Sequence, residues 1–182
     1  KHTGVNALRA KLESFNLDLN DDEFYSVYNQ IKSLGDKGKT LTDADVKSIA
    51  ITEISTAQEE AIKLLGLTVV SGESVSPTAT VKLLIDDEIK ETSEIGVGPI
   101  DAALNGIKSL VQEKININLE DYHLGAITGG TDALAEVFVI TSDENGNKAT
   151  GRATNDDVIM ASVVAVINSI NKIIFIKKNM KN

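Results

Sequence analysis

The feature that most constrains this chain is a pattern that occurs twice in its C-terminal two thirds: three strand-like segments followed by one helix. Leu67-Thr68-Val69-Val70, Ala79 through Ile85 and Glu91 through Ile95 carry the β-branched, alternating character of strands. Turn signals separate them, Ser71-Gly72 with Ser76-Pro77 and then Asp86-Asp87. A helix is predicted from Pro99 to about Gln112. The order then recurs, with strands over Tyr122 to Ile127, Ala133 to Thr141 and Lys148 to Thr154. Asp143-Glu144-Asn145-Gly146-Asn147 reads as a hairpin turn, and a last helix runs from about Asp156 to Lys172. The repeat interval is roughly 55–60 residues. Two three-stranded antiparallel sheets follow, each needing one helix to cover its apolar face.

The segment before the repeats has helical spacing. Val5, Leu8, Leu12 and Phe15 share one helix face. Asn20 and Glu23 have the spacing of a capping box, Phe24, Val27, Tyr28, Ile31 and Leu34 line the helix that follows, and Gly35 sits where such a helix commonly stops. Thr42 with Asp43 and Asp45 reads as another helix start, the acids favourably placed against the dipole. A further helix is predicted from about Thr56 to Leu65, ending at Gly66. Helices this short are marginal alone and must pack on something. The fold class is therefore α+β: a small helical linker subdomain, residues 1–65, followed by a domain of two strand-strand-strand-helix repeats, residues 66–182.

Composition narrows the function. The 182 residues suffice for one domain of ordinary size or a small one with an appendage. A net charge of -9 argues against duplex nucleic acid, whose phosphates need clustered Lys and Arg. The basic tail, Lys177, Lys178 and Lys181, reads as a solvated terminus. With no cysteine there is no disulfide, thiolate zinc site or thiol nucleophile. His2 and His123 lie far apart, so a His-rich metal site is not expected. The apolar run Val158 to Ile167 is about half of a membrane span, and no signal-peptide pattern opens the chain, so a cytoplasmic setting is the default. The first residue is Lys1, not Met, and a fragment of something longer is expected. No nucleophile–base pair, Walker loop or metal-ligand cluster stands at motif spacing. A self-contained active site is not expected.

Association and binding are better supported. The last helix is apolar almost all round, with Val158, Ile159, Ala161, Val163, Val164 and Ile167 among its residues, and needs burial on more than one side. A second subunit is the economical source; a tight contact between the repeats is the alternative. Gly96-Val97-Gly98-Pro99-Ile100-Asp101 joins a strand to a helix. Its glycines either serve only the turn or let the backbone approach a ligand, and the N–H groups after Pro99 suit a carboxylate. The second glycine cluster, Thr128-Gly129-Gly130-Thr131-Asp132, is either an ordinary turn or a pocket-shaping loop. Asp101, Asp156 and Asp157 cluster at the two helix starts. Helix N–H groups for a carboxylate, acids for an ammonium and apolar walls together suit a small aliphatic amino acid.

Three stretches carry a family resemblance: Gly96 through Ala103, Tyr122 through Leu134, and Gly151-Arg152-Ala153-Thr154 leading to Asp157-Val158-Ile159 and Ala161-Ser162. In them the chain resembles the C-terminal regulatory region of the 2-isopropylmalate synthase family, which includes citramalate synthases. The opening Lys1-His2-Thr3-Gly4 and the helices after it look like the family's linker subdomain. The resemblance implies a parent acyltransferase that condenses acetyl-CoA with a 2-oxo acid on a metal-dependent TIM barrel preceding this part. It implies no catalytic residue, metal or cofactor in the fragment itself, which should be inactive, with the divalent metal in the barrel. It also implies a homodimer that binds an end product near its interface, leucine for isopropylmalate synthases and isoleucine for many citramalate synthases. The effector contacts it implies are Gly96, Val97, Gly98, Ile100 and Asp101 in the first repeat. From the second repeat come Leu119, Tyr122, Ala126 and Ala133, with Asp156 and Val158 before the last helix. Asn155-Asp156-Asp157 is more acidic than the family's usual helix start. A citramalate or homocitrate synthase relative, or a purely structural dimerisation module, are the competing readings.

Overall fold

The computed structural model describes residues 4–17, 19–56, 60–127, 129–130 and 132–179. Three helices, α1 (Val5–Ser14), α2 (Asp21–Asp36) and α3 (Asp43–Thr56), precede two strand-strand-strand-helix units. The first unit contains β1 (Ile62–Gly72), β2 (Val75–Ile85), β3 (Glu88–Ile95) and α4 (Pro99–Val111). The second contains β4 (Ile117–Ala126), β5 (Ala135–Asp143), β6 (Lys148–Asn155) and α5 (Val158–Asn179). Each set of strands is one antiparallel sheet, in order β1-β2-β3 and β4-β5-β6. The α+β architecture and its repeat are thus as the sequence pattern requires.

Local chemistry explains most boundaries. The α2 capping box is formed: Glu23 N donates to Asn20 Oδ1 at 3.0 Å and Asn20 N to Glu23 Oε2 at 2.8 Å. Thr42 and Asp45 make the equivalent reciprocal pair before α3, at 3.2 and 2.7 Å. Asp86 and Asp87 both have positive φ, 50° and 64°, as a two-residue hairpin turn demands. In the β5–β6 turn the Asp143 carboxylate accepts from the backbone N–H groups of Asn145 and Asn147, each at 2.9 Å, and Gly146 supplies φ 80°.

Four sequence expectations are corrected. The helix over 56–65 does not form: α3 ends at Thr56 and the chain is extended from Ile62, residues 57–59 lying outside the described set. A bulge breaks the two-residue alternation of β1 at this point. Leu64 pairs with Leu83 and Gly66 with Lys82, leaving Leu65 unpaired, so Leu64 and Leu67 both face inward three residues apart, a helical spacing. Gly35 does not end α2. Gly38, at φ 81°, does, with Lys39 N returning to Leu34 O at 3.0 Å. Ser76-Pro77 is inside β2, the turn falling between Gly72 and Val75 where the register is irregular. Finally, β4 begins at Ile117, before Tyr122, and α5 continues to Asn179.

The helices pack each on its own sheet, and one core joins both units through Val81, Leu83, Ile107, Val137, Val139 and Ile170. Two glycines set the closeness of approach. A Cβ on Gly106 of α4 would lie 2.7 Å from Val81 Cγ2, and one on Gly151 of β6 would lie 1.9 Å from the Ala165 carbonyl of α5. Of the two sources of burial expected for α5, the contact between the repeats is present within the chain. Sheet β4-β5-β6 covers one side, α4 and β1 the other, so the tight contact between repeats supplies the burial. Val158–Lys178 is long and apolar enough by composition to cross a membrane. It nevertheless packs within the chain and buries Ser162, Asn168, Ser169 and Asn171 with partners. Asn171 accepts from Ile62 N and donates to Ile62 O, both at 2.9 Å, fastening the second unit's helix to the first unit's opening strand.

The partner the short N-terminal helices require is the second unit. Leu8, Phe24, Val27, Ile31 and Ile49 form a core that also contains Leu134, with Ile127 packed against it. On the same side Ser48 of α3 meets Thr154 Oγ1 at 2.5 Å and Glu136 Oε2 at 3.2 Å.

Candidate effector site

At the start of α4 the turn is held by the chain's own groups. Gly96 N donates to Pro77 O at 3.0 Å and Val97 N to Asp101 Oδ2 at 2.9 Å. Asn105 Nδ2 donates to Ile95 O at 3.1 Å and reaches the same Asp101 oxygen at 3.4 Å. Gly96 has a packing reason to be glycine: a Cβ there would lie 2.2 Å from Ala102 N. Gly98 has none. It is extended, at φ -153°, nothing lies within 4 Å of a Cβ built on it, and it gives the helix no side-chain cap. Pro99 follows, then Ile100 and Asp101, in the first turn whose N–H groups have no partner within the helix. Val97 beside this opening is 96% exposed.

The start of α5 is different. Asp157 Oδ1 accepts from Ile159 N at 2.7 Å and Met160 N at 3.1 Å, while Asn155 Oδ1 accepts from Asp157 N at 2.9 Å. A carboxylate of the chain itself already occupies the anion position. Asp156 is turned to an ion pair with Lys37, at 3.4 Å. The three acids the sequence offered to an ammonium therefore each have an internal partner, and the two helix starts are not equivalent. Only that of α4 is left without a cap.

Leu119, Tyr122 and Ala126 lie on one face of β4, opposite Thr141, Val139 and Ala135. It is the face that α5 covers on β5 and β6, but over β4 the cover is incomplete: Ala126 is exposed and Leu124, also on this face, is 53% exposed. Tyr122 joins β4 to α5 through a hydrogen-bond chain, its hydroxyl 2.8 Å from Ser162 Oγ, which donates to the Val158 carbonyl at 2.6 Å. Tyr122 and Val158 are thus brought together. Ala133 N approaches Gly130 O at 3.4 Å, and the loop closes with Ile127 N donating to Leu134 O at 3.2 Å. Gly130, at φ 124°, has a backbone need for glycine. Thr128 and Thr131 lie outside the described residues. Ala126, Ala133 and Asp156 gather at this end of the sheet, beneath the helical unit, from which Lys39 Nζ donates to Asp132 O at 3.0 Å. Among the described residues no hydrogen bond links this group to the α4 start. His123 pairs with Asp121 at 2.9 Å on the opposite sheet face, beside Phe138, away from Tyr122.

Ser162 and Leu134 stand in the sequence reading only as parts of motif stretches and not among the expected site residues, yet they contact Tyr122 and the helical core respectively. A lone serine in an apolar helix carries no local mark of its partner, and Leu134 reads as one more strand residue. A cavity of about 750 Å³ lies elsewhere, in the helical unit, lined by Leu8, Tyr28, Ile31, Lys32, Leu41 and Val46 among others. None of the expected effector residues borders it. Among the described residues no group of three or more His, Asp or Glu side chains is placed to hold a metal.

The candidate site thus combines an uncapped helix start with a partly open sheet face. Comparison with known proteins gives the family. Residues 40–174 match the family model described as the LeuA allosteric (dimerisation) domain, and the chain belongs to this family. It is 45% identical to a 2-isopropylmalate synthase of Methanocaldococcus jannaschii, over 96% of this chain and 34% of that protein. To a putative (R)-citramalate synthase CimA of Methanothermobacter thermautotrophicus it is 40% identical, over 98% of this chain and 36% of the relative. A probable 2-isopropylmalate synthase of Methanosarcina mazei is 39% identical over 98% of the chain and 35% of its own length. The chain spans about a third of the length of these curated relatives.

Proposed function

We propose that this chain is the effector-binding and dimerisation part of a 2-isopropylmalate synthase, with leucine as the feedback inhibitor, and that the condensation chemistry and its divalent metal belong to residues outside it. The observation that carries the reading is the α4 start. Its bare N–H groups suit a carboxylate, and exposed apolar side chains gather at this end of the first sheet. Val70 and Ile95 flank Thr78 in register, Val75 begins β2 and Val97 follows Ile95; these four are 55%, 64%, 51% and 96% exposed. Apolar groups so concentrated and so exposed favour a protein partner, and a second copy is the partner that the family's description as a dimerisation domain supports. Identities to relatives of the two names overlap at 38–41% apart from one 2-isopropylmalate synthase at 45%, and the choice of leucine over isoleucine rests on that one relative.

Effector contact at Ala126 and Ala133 reaches the N-terminal helices through the described residues of the β4–β5 loop, Ile127 and Leu134. Leu134 is buried in the helical core, and Lys37 and Lys39 hold Asp156 and the Asp132 carbonyl. A ligand that favours one setting of this loop thereby favours one setting of the helices, with a coupling of about 1–3 kcal/mol typical of such linkage. Calorimetric titration with leucine, isoleucine, valine and alanine, alongside sedimentation equilibrium, tests the reading. Selective leucine binding to a dimer supports it, and isoleucine selectivity moves the assignment to a citramalate synthase. A folded dimer that binds none of them reduces the domain to a structural module.

A further inference from the structure

We propose that the cavity of the helical unit is a binding site for a small organic anion with an aliphatic body, and that Lys39 relays its occupancy to the β4–β5 loop. The inference stands apart from the leucine reading, since no expected effector contact lines this cavity.

The cavity holds about 750 Å³, within the range of small-molecule sites. Its walls divide by chemistry. Leu8 of α1, Ile31 of α2 and Val46 of α3 give it an apolar floor and are buried in the helical core. Three cations share the lining, each from a different stretch of chain: Lys11 on α1, Lys32 on α2 and Lys39 between α2 and α3. Asp43 is the one acid among the described lining residues, and it is already paired with Lys11. Three lysines against one aspartate leave the lining two charges positive, in a chain whose net charge is -9.

An ammonium has three donors. Lys11 gives one to Asp43, and Lys39 gives one to the Asp132 carbonyl, a neutral group that leaves the lysine charge uncompensated. Lys32 has no hydrogen-bond or ion-pair partner among the described residues. A carboxylate or phosphate supplies the missing counter-charge while an aliphatic chain covers the floor; an uncharged molecule meets only the second demand, and a cation is repelled. Lys39 belongs to both sides. It lines the cavity and donates to Asp132 O at 3.0 Å, so an anion that draws its ammonium inward competes with that carbonyl. Gly38, at φ 81°, and the bond from Lys39 N to Leu34 O set the backbone from which the side chain reaches both.

The test is an amide-resolved NMR titration of the whole chain with octanoate, octyl phosphate and, as the uncharged control, octanol. Shifts are expected at Gly35, Gly38 and Thr40, which line the cavity, and at Ala133, whose peptide group carries the Asp132 carbonyl. Tighter binding of octanoate assigns a carboxylate head and tighter binding of octyl phosphate a phosphate; either supports the site. Lys32→Gln and Lys39→Gln should each weaken the anion about two- to fivefold, the scale of one exposed ion pair, and leave octanol unchanged. Gly35→Leu adds bulk to the cavity wall, where a Cβ meets nothing within 4 Å, and should block the site without disturbing the core. In Lys39→Gln the Ala133 shift should vanish while those at Gly35 and Gly38 remain. Equal binding of octanol and the anions, shifts centred on Val70 and Ile95, or no shift at all would overturn the proposal, as would unchanged affinity in the lysine and Gly35 variants. A titration that moves the cavity amides but not Ala133 would refute the relay.

Discussion

Replacing Asn171 by leucine is the sharpest test of how the two repeats are held together. The Asn171 amide makes two hydrogen bonds of 2.9 Å, one to each backbone polar group of Ile62, and both residues are buried, at 7% and 1% exposure. In β1, Ile62 pairs with Ile85 on one side and meets α5 on the other. Asn171→Leu keeps much the same volume and removes both bonds, stranding a donor and an acceptor away from water. Each such group costs about 1–3 kcal/mol, and the apolar replacement returns about 1 kcal/mol or more by its own burial. The net loss expected is about 2–3 kcal/mol, measured by urea unfolding followed by circular dichroism, with the slope unchanged. Hydrogen exchange at the Ile62 amide should accelerate more than at Val81, at the centre of the same sheet. Asn171→Asp should be less damaging at pH 4 than at pH 7, since a protonated carboxyl can still donate to the Ile62 carbonyl and a carboxylate cannot. A loss below about 0.5 kcal/mol for Asn171→Leu, with Ile62 still protected, would refute the idea that this amide clamps the repeats.

Three further outcomes follow from the geometry. Gly35→Ala should stabilise the chain by about 0.5–1 kcal/mol in thermal unfolding, because Gly35 is inside α2 and a Cβ there meets nothing within 4 Å. Gly151→Ala should leave little soluble folded protein, since its Cβ would collide with the backbone of α5 at Ala165, and normal thermal stability of that variant would contradict the packing described. Burial pushes the Asp143 carboxyl up, but hydrogen bonds from Asn147, Asn145 and Lys177 outweigh it and bring the group down to about 2. The folded value is below the unfolded one, so this stabilisation is complete above pH 4 and is lost as pH falls toward 2, about 2 kcal/mol in all; Asp143→Asn should remove that part of the acid dependence.

What the sequence made legible is what short-range chemistry decides. Asn20 and Glu23 mark a helix start because both halves of the capping box are three residues apart, and the Asp86-Asp87 turn is set by its own backbone. The repeat was visible because each sheet needs its alternation and each helix its apolar face. The errors arose where one local signal had two solutions. Gly35 reads as the end of α2, but the residue at positive φ beyond the buried Leu34 is Gly38. At Leu65 a bulge interrupts the alternation by which a strand is read. The candidate site was legible as a set of loops and helix starts, but not as a set of interactions. Asp101, Asp156 and Asp157 look interchangeable in sequence, yet a loop N–H, a lysine 119 positions away and a helix turn engage them respectively. Nor could Asn171 disclose that its partner lay 109 residues upstream.

The two repeats have the same fold but not the same neighbours, and this asymmetry ties the structure to the proposed function. In the second repeat the helix start is capped by Asp157, the loop end of the sheet is roofed by α1–α3, and Leu134 is given up to their core. In the first repeat the corresponding helix start has no side-chain cap, Gly98 faces open space, and Val70, Ile95 and Val97 remain in solvent. The loop end of the second repeat is thus covered by its own chain, while the α4 end of the first is left open. An internal duplication alone would give two equivalent ends. Covering one with helices and baring the other yields a part with a fixed side and a receptive side, joined by α5 and the Asn171 clamp. In such a part, a ligand bound with a second copy on the receptive side acts on the helices only through packed elements.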